Sequence, residues 1–139
     1  MTSQIIYLGE LRNELTHLAS GQSFNTDAPL DNKGKGQAFS PTDLTATSLG
    51  ACMLTVMGIK AAEMEVDISD TKAEIIKIMA AEPRRISGIK VVLTFPEKFY
   101  EEKTRKILEH TALTCPVAKS LHPDIEQDIH FIWPDSAVL

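Results

Sequence analysis

Hydrophobic and polar positions alternate near the start of the chain, run together in the middle, and alternate again toward the end. Residues Gln4 to Leu8 and Leu11 to Leu18 predict two short strands joined at Gly9 and Glu10, and Gly21 to Asn25 predict a third. An antiparallel meander is the expected arrangement. Residues 26–37 hold Asp27, Pro29, Asp31, Asn32, Gly34 and Gly36, residues that favour turns, and predict a mobile surface loop. Its segment Asp31-Asn32-Lys33-Gly34-Lys35-Gly36 resembles a phosphate cradle only in composition, because the spacing and a preceding strand are missing.

A helix should start sharply after that loop. Ser40 suits the N-cap, Pro41 the first helical position, and Asp43 lies where a capping box places its acid. Leu44, Ala46, Leu49, Ala51, Met53, Leu54, Val56, Met57 and Ile59 then point in nearly all directions, which predicts a buried helix ending near Glu63 and Met64. Thr71 to Met79 and Ile86 to Phe95 predict two further strands, the second with Ile89, Val91, Leu93 and Phe95 on one face. Glu97 to Thr111 predicts an amphipathic helix with Phe99, Ile107 and Leu108 inward, and Pro116 to about Leu121 a short one. Ile125, Ile129, Phe131 and Trp133 mark a last strand. Strands and helices are segregated, so the class is α+β, as a single domain over residues 1–139.

Composition narrows the function. A net charge of −5 with dispersed basic residues argues against nucleic-acid and anionic-membrane partners. Lys103, Arg105 and Lys106 form the longest basic cluster, a solvated helix face. The N-terminus lacks the basic and apolar regions of a signal peptide, and the longest apolar stretch reads as too short and too polar at its ends to span a bilayer. A cytoplasmic location is expected. The four histidines, His17, His110, His122 and His130, lack metal-ligand spacing, so a metal site is not expected. The methionines Met53, Met57, Met64 and Met79 suit gaps in a core.

Two cysteines remain. In a reducing compartment they are more readily redox or catalytic thiols than a structural disulfide. Cys115 precedes Pro116 and so takes the N-cap of the short helix, where exposed amides should lower its pKa. Cys52 lies mid-helix and is either a small buried hydrophobe or a nucleophile activated by a cation from elsewhere in the fold. Arg12 and the pair Arg84-Arg85 are the candidates, arginine being permanently charged. The Arg84-Arg85 pair also reads as a turn-and-edge pair facing surface carboxylates, or as a site for an anionic ligand.

Ser40-Pro41-Thr42-Asp43-Leu44, Leu49-Gly50-Ala51-Cys52 and Thr114-Cys115-Pro116-Val117 together resemble the OsmC/Ohr family, and the likeness covers nearly the whole chain. It implies an OsmC-like fold: antiparallel sheets around a long buried helix carrying Cys52, in an intertwined homodimer. It further implies thiol-dependent, peroxiredoxin-like reduction of organic hydroperoxides in oxidative stress defence, with Cys52 peroxidatic, Cys115 resolving, an external dithiol as reductant and no cofactor. The chain departs from the family pattern at the activating groups, as in a divergent branch. Thr42, followed by Asp43, stands where a glutamate usually holds the catalytic arginine. Thr16-His17-Leu18-Ala19-Ser20-Gly21 stands without arginine where that arginine is usual. Arg12 or Arg85 as activating cation, His17 as a substitute partner, and Thr42 and Asp43 as supporting groups are the expectations this leaves. The alternative is a dimer on the same scaffold that binds a small ligand without catalysis.

Overall fold

The first hairpin turns on Glu10 and Leu11. Both take positive φ, 53° and 65°, and Gly9 and Arg12 pair beneath them. Two positive φ values supply the twist that a two-residue connection needs. The strands so joined are β1 (Ser3–Gly9) and β2 (Arg12–His17), and β3 (Ser23–Asp27) adds antiparallel to β2. This is the expected meander, with β3 beginning later than the pattern suggested. The computed structural model describes residues 1–135. They form two compact units, the first being Met1–Thr45 and the second beginning at Ala46.

The loop after β3 carries a short 3-10 turn, Leu30–Asn32. It is bonded back onto itself. Gly34 N donates to Pro29 O at 2.9 Å, Gly36 N to Ala28 O at 3.2 Å, and Asp27 N to Phe39 O at 3.0 Å. A Cβ on Gly34 would stand 1.7 Å from the Ala28 carbonyl oxygen, so the loop folds back on itself only with glycine there.

Helix α1 (Pro41–Glu63) opens on a reciprocal capping box, as its sequence predicts. Asp43 N donates to Ser40 Oγ, and Ser40 N donates to Asp43 Oδ2, both at 3.0 Å. The helix then runs into the second unit. There β4 (Lys72–Ala80), β5 (Arg85–Thr94) and β6 (Glu126–Ile132) form a sheet with β5 central. β4 and β5 are antiparallel, but β5 and β6 are parallel. The expectation of purely antiparallel sheets is corrected accordingly. Helices α2 (Glu102–Leu113) and α3 (Pro116–Ser120) lie between β5 and β6, and that long crossover returns the chain in the same direction.

The core of this unit joins Leu49, Met53 and Met57 of α1 to Ile89, Val91 and Leu93 of β5 and to Leu108 and Ala112 of α2. Gly50 lets α1 close on β4, facing Ile75 and Ala73. Three expectations change here. Although apolar all round, α1 buries one stripe (Ala46, Leu49, Gly50, Met53, Met57, Ala61), while Ile59 is 59% exposed. The helix also runs unbroken for 23 residues, long and apolar enough by those measures to cross a bilayer, although its buried stripe serves this core. Finally, α2 starts at Glu102 instead of Glu97, and Phe99 is outside it and exposed. Tyr100 is buried in its place, 5.2 Å from Trp133, which stacks on Phe95 at 3.6 Å. An aromatic cluster already filled by Tyr100 leaves no inward place for Phe99.

Candidate functional site

Cys115 sits where α2 ends and α3 begins. Its backbone is extended (φ −65°, ψ 155°), Pro116 follows at the first helical position, and Ala118 N donates to its Sγ at 3.4 Å. These are the N-cap features predicted from Cys115-Pro116. Its N–H is also used, donating to Ala112 O at 3.2 Å, so the last turn of α2 fixes where α3 starts. Cys115 is buried, whereas Cys52 on α1 is half-buried against the same core. The two cysteines are electrostatic neighbours, close enough for the Cys52 sulfur to act on the Cys115 thiol, and both are free thiols. The sequence left open whether they meet; the second unit brings them together.

Their electrostatics differ from the expectation for Cys115. Burial pushes its thiol up, opposed by the Ala118 N–H and, less strongly, the Val117 N–H, while the neighbouring Cys52 sulfur pushes it up further. The lowered pKa expected of a helix N-cap is therefore corrected. A helix of five residues supplies little dipole, and its amides do not offset desolvation.

The candidate cations are already engaged. Arg12 lies directly opposite Asp27 in the β2–β3 register. Its Nε donates to Asp27 Oδ1 at 2.7 Å, and its Nη2 donates to Asp27 Oδ2 and Gln37 Oε1, each at 2.9 Å. Asp27 also accepts from Gln37 N at 3.1 Å. The Arg12 guanidinium, chiefly by hydrogen bonding, holds the Asp27 carboxyl below the usual aspartate range. Arg85 donates from Nη1 to Ala81 O at 3.0 Å and Pro83 O at 2.8 Å, closing its own turn. His17 Nδ1 pairs with Ser20 Oγ at 2.7 Å. Thr42 Oγ1 meets Ser40 Oγ at 3.3 Å, and Asp43 completes the capping box, so both serve the start of α1. Among the described residues no three His, Cys, Asp or Glu side chains converge as a metal site would require.

Sequence reasoning missed three groups. Asp27 and Gln37 fell in a stretch read as loop, although their spacing around Arg12 becomes visible once the β2–β3 register is drawn. Gln127 of β6 donates from Nε2 to Ala118 O at 3.0 Å, and no local pattern marks it.

Fold and thiols together define a class: a small α+β protein carrying a dithiol between a long helix and the cap of a short one. The model of the family described as OsmC-like protein matches residues 34–130, and the chain belongs to that family. A crystal structure of a Psychrobacter arcticus protein named for osmotic stress induction and a detoxification response is 56% identical, with a TM-score of 0.91 over 94% of this chain and 95% of that one. The fold is shared more widely. An organic hydroperoxide resistance protein OsmC of Legionella pneumophila is 15% identical, with a TM-score of 0.74 over 95% of this chain and 97% of that one. The organic hydroperoxide resistance protein OhrB of Bacillus subtilis is 18% identical, with a TM-score of 0.68 over 94% of this chain and 98% of that one. No curated protein matches the chain.

Proposed function

We propose that this protein reduces organic hydroperoxides through its dithiol, as part of a cell's defence against oxidative stress. The observation that carries the proposal is that Cys52 and Cys115, from two elements of one unit, share one core as electrostatically neighbouring free thiols. The Cys52 sulfur, as thiolate, attacks the terminal peroxide oxygen. The O–O bond breaks, the alkoxide leaves and takes a proton to become the alcohol, and Cys52 becomes a sulfenic acid. The Cys115 sulfur then displaces hydroxide from that sulfenic sulfur, forming the disulfide and releasing water. An external dithiol reduces the disulfide by exchange and is itself oxidised. The apolar flank of α1 favours an organic peroxide over hydrogen peroxide. A reducing cytoplasm would keep the dithiol ready. A second copy of the chain, as an intertwined homodimer, would cover the apolar surface of the first sheet, where Ile5 is 60% and Phe24 47% exposed.

The test is turnover of an organic hydroperoxide by reduced protein with a dithiol. Cys52→Ser is expected to abolish turnover, since a serine hydroxyl in its place is a far weaker nucleophile than the thiolate. Turnover retained in Cys52→Ser would remove the proposal.

One observation favours a second reading, a dimer that binds a small ligand without catalysis. Arg12 is engaged by Asp27 and Gln37, and Arg85 by its own turn. Alkylation of Cys52 across pH separates the two readings. A midpoint well below the free-cysteine value of about 8.5 supports catalysis, and one at or above it supports binding.

A further inference from the structure

Helix α3 carries Cys115 yet has little to hold it. It spans five residues, Pro116–Ser120, and its backbone bonds include Lys119 N to Cys115 O at 3.1 Å and Leu121 N to Val117 O at 3.2 Å. So short a helix has no stability of its own. Its orientation must come from outside. Gln127 provides a tie: its Nε2 donates to Ala118 O at 3.0 Å, and a carbonyl acceptor there fixes which end of the amide faces α3. Gln127 is itself placed by the sheet, since β6 runs parallel to β5 with Gln127 opposite the fully buried Ile89. The same residue that receives this bond, Ala118, donates its N–H to the Cys115 sulfur at 3.4 Å. A line of contacts therefore runs from the central strand through Gln127 and Ala118 to Cys115, the electrostatic neighbour of Cys52 in the same core.

We propose that Gln127 is a positioning residue that holds the Cys115 thiol ready to bond with Cys52. The role rests on reading Cys115 as the resolving thiol. Both cysteines are free, so their sulfurs stand beyond the S–S bond length of about 2.05 Å and disulfide closure needs a directed approach of α3 toward α1. Ordering α3 beforehand raises the effective concentration of one sulfur at the other. Without the tie, the reduced protein gains freedom in α3 that the disulfide must then remove.

The experiment equilibrates the protein with glutathione buffers. Cys52 and Cys115 lose two protons and two electrons and form one S–S bond, while glutathione disulfide takes these up and yields two glutathione thiols. Gln127→Leu and Gln127→Glu, which lack the donor, are expected to lower the equilibrium constant for the internal disulfide about threefold to tenfold, the worth of one hydrogen bond. Gln127→Lys keeps a donor on a long stem and is expected to stay within about twofold of the native chain. With Cys115 replaced by Ser, alkylation of Cys52 by iodoacetamide should be the same for all four residues at position 127, since Gln127 acts only through Cys115. Under excess organic hydroperoxide, the two donor-less variants should carry more sulfinic acid on Cys52 and less disulfide, read by mass spectrometry.

Equal equilibrium constants in the native, Leu and Glu proteins would overturn the role of Gln127, as would a Lys variant that falls as far as Leu. A native protein that forms no internal disulfide in these buffers would instead overturn the resolving role of Cys115. Should Gln127→Leu fail to fold, the contrast between Gln127→Glu and Gln127→Lys decides the matter alone.

Discussion

The two units of this chain solve opposite problems. The second, from Ala46 onward, buries apolar side chains: Leu49, Met53, Met57, Ile89, Val91, Leu93 and Leu108 are all fully enclosed. The first, Met1–Thr45, buries Thr26, Asp27 and Ser40, all polar, and exposes Ile5, Ile6, Tyr7, Leu8 and Phe24. Hydrophobic burial drives the second. The first is held by pairing that must be geometrically correct: a sheet register, an ion pair between Arg12 and Asp27, and a loop bonded back onto itself. The chemistry follows the same division. Both cysteines lie in the apolar unit, and the cation candidate Arg12 lies in the polar one, fastened to Asp27.

The sharpest way to break this contrast is to cut the core. Leu49 is 0% exposed, so Leu49→Ala removes buried methyl groups and leaves a cavity. The expected loss is about 2–5 kcal/mol, read from urea unfolding. A loss below about 1 kcal/mol would mean that the second unit is not close-packed around α1.

A pair of glycines sharpens the comparison. At Gly34 a Cβ would meet backbone, the Ala28 oxygen at 1.7 Å and its carbonyl carbon at 2.1 Å. At Gly50 it would meet the end of a side chain, Ile75 Cδ1 at 2.5 Å, which can swing aside. Alanine also suits a helix better than glycine by about 1 kcal/mol, which offsets the shift of Ile75. Gly34→Ala should open residues 28–39 to limited proteolysis and lower the melting temperature. Gly50→Ala should lie within about 1 kcal/mol of the native chain. The reverse order would place the rigid contact in the wrong unit.

Acid should weaken the ion pair that holds the first unit. The hydrogen bonds and charge of Arg12 lower the Asp27 pKa in the folded state. A lowered folded value means that the pair's stabilisation is complete above the unfolded aspartate pKa of about 3.9 and declines as pH falls through the folded value. Below that range both states hold the proton and the contribution is gone. Circular dichroism from about pH 5 to pH 2 should show the native chain losing more stability than Asp27→Asn, which has no carboxyl to protonate. Parallel curves would show that the ion pair contributes nothing there.

Legibility in the sequence also follows the division, by how local each signal is. The capping box at Ser40 and Asp43, the N-cap at Cys115 and the alternation of Ile89, Val91 and Leu93 each lie within a few residues, and each is found as read. What escaped depends on partners distant in sequence. Asp27 stands opposite Arg12 only after the register is set, and Gln127 reaches Ala118 only after β6 adds parallel to β5. The parallel pairing escaped because period-2 alternation carries no strand direction. The pKa of Cys115 escaped because capping is visible in Cys115-Pro116, while burial by Ala112, Leu108 and the rest of the core is not. For α1, hydrophobicity on every side reported how apolar the helix is but not which face the chain itself covers.

The smallest expected effect concerns the surface of the first sheet. Ile5, Leu15 and Phe24 lie in one row across β1, β2 and β3, because Ile5 pairs with Leu15 and Leu15 with Phe24. Ile5 is 60% and Phe24 47% exposed, so within one chain neither loses much by becoming polar. Ile5→Ser and Phe24→Ser should each change the unfolding free energy of the isolated chain by no more than about 0.5 kcal/mol. If a second copy covers this row, the same substitutions should weaken self-association, seen by sedimentation as a rise in the dimer dissociation constant. The two measurements together isolate what the row is for. Unchanged stability with weakened association assigns it to a partner chain. Unchanged association would remove the row from any dimer interface, and a large loss of stability in the dilute chain would show that the first unit relies on these side chains as the second relies on Leu49.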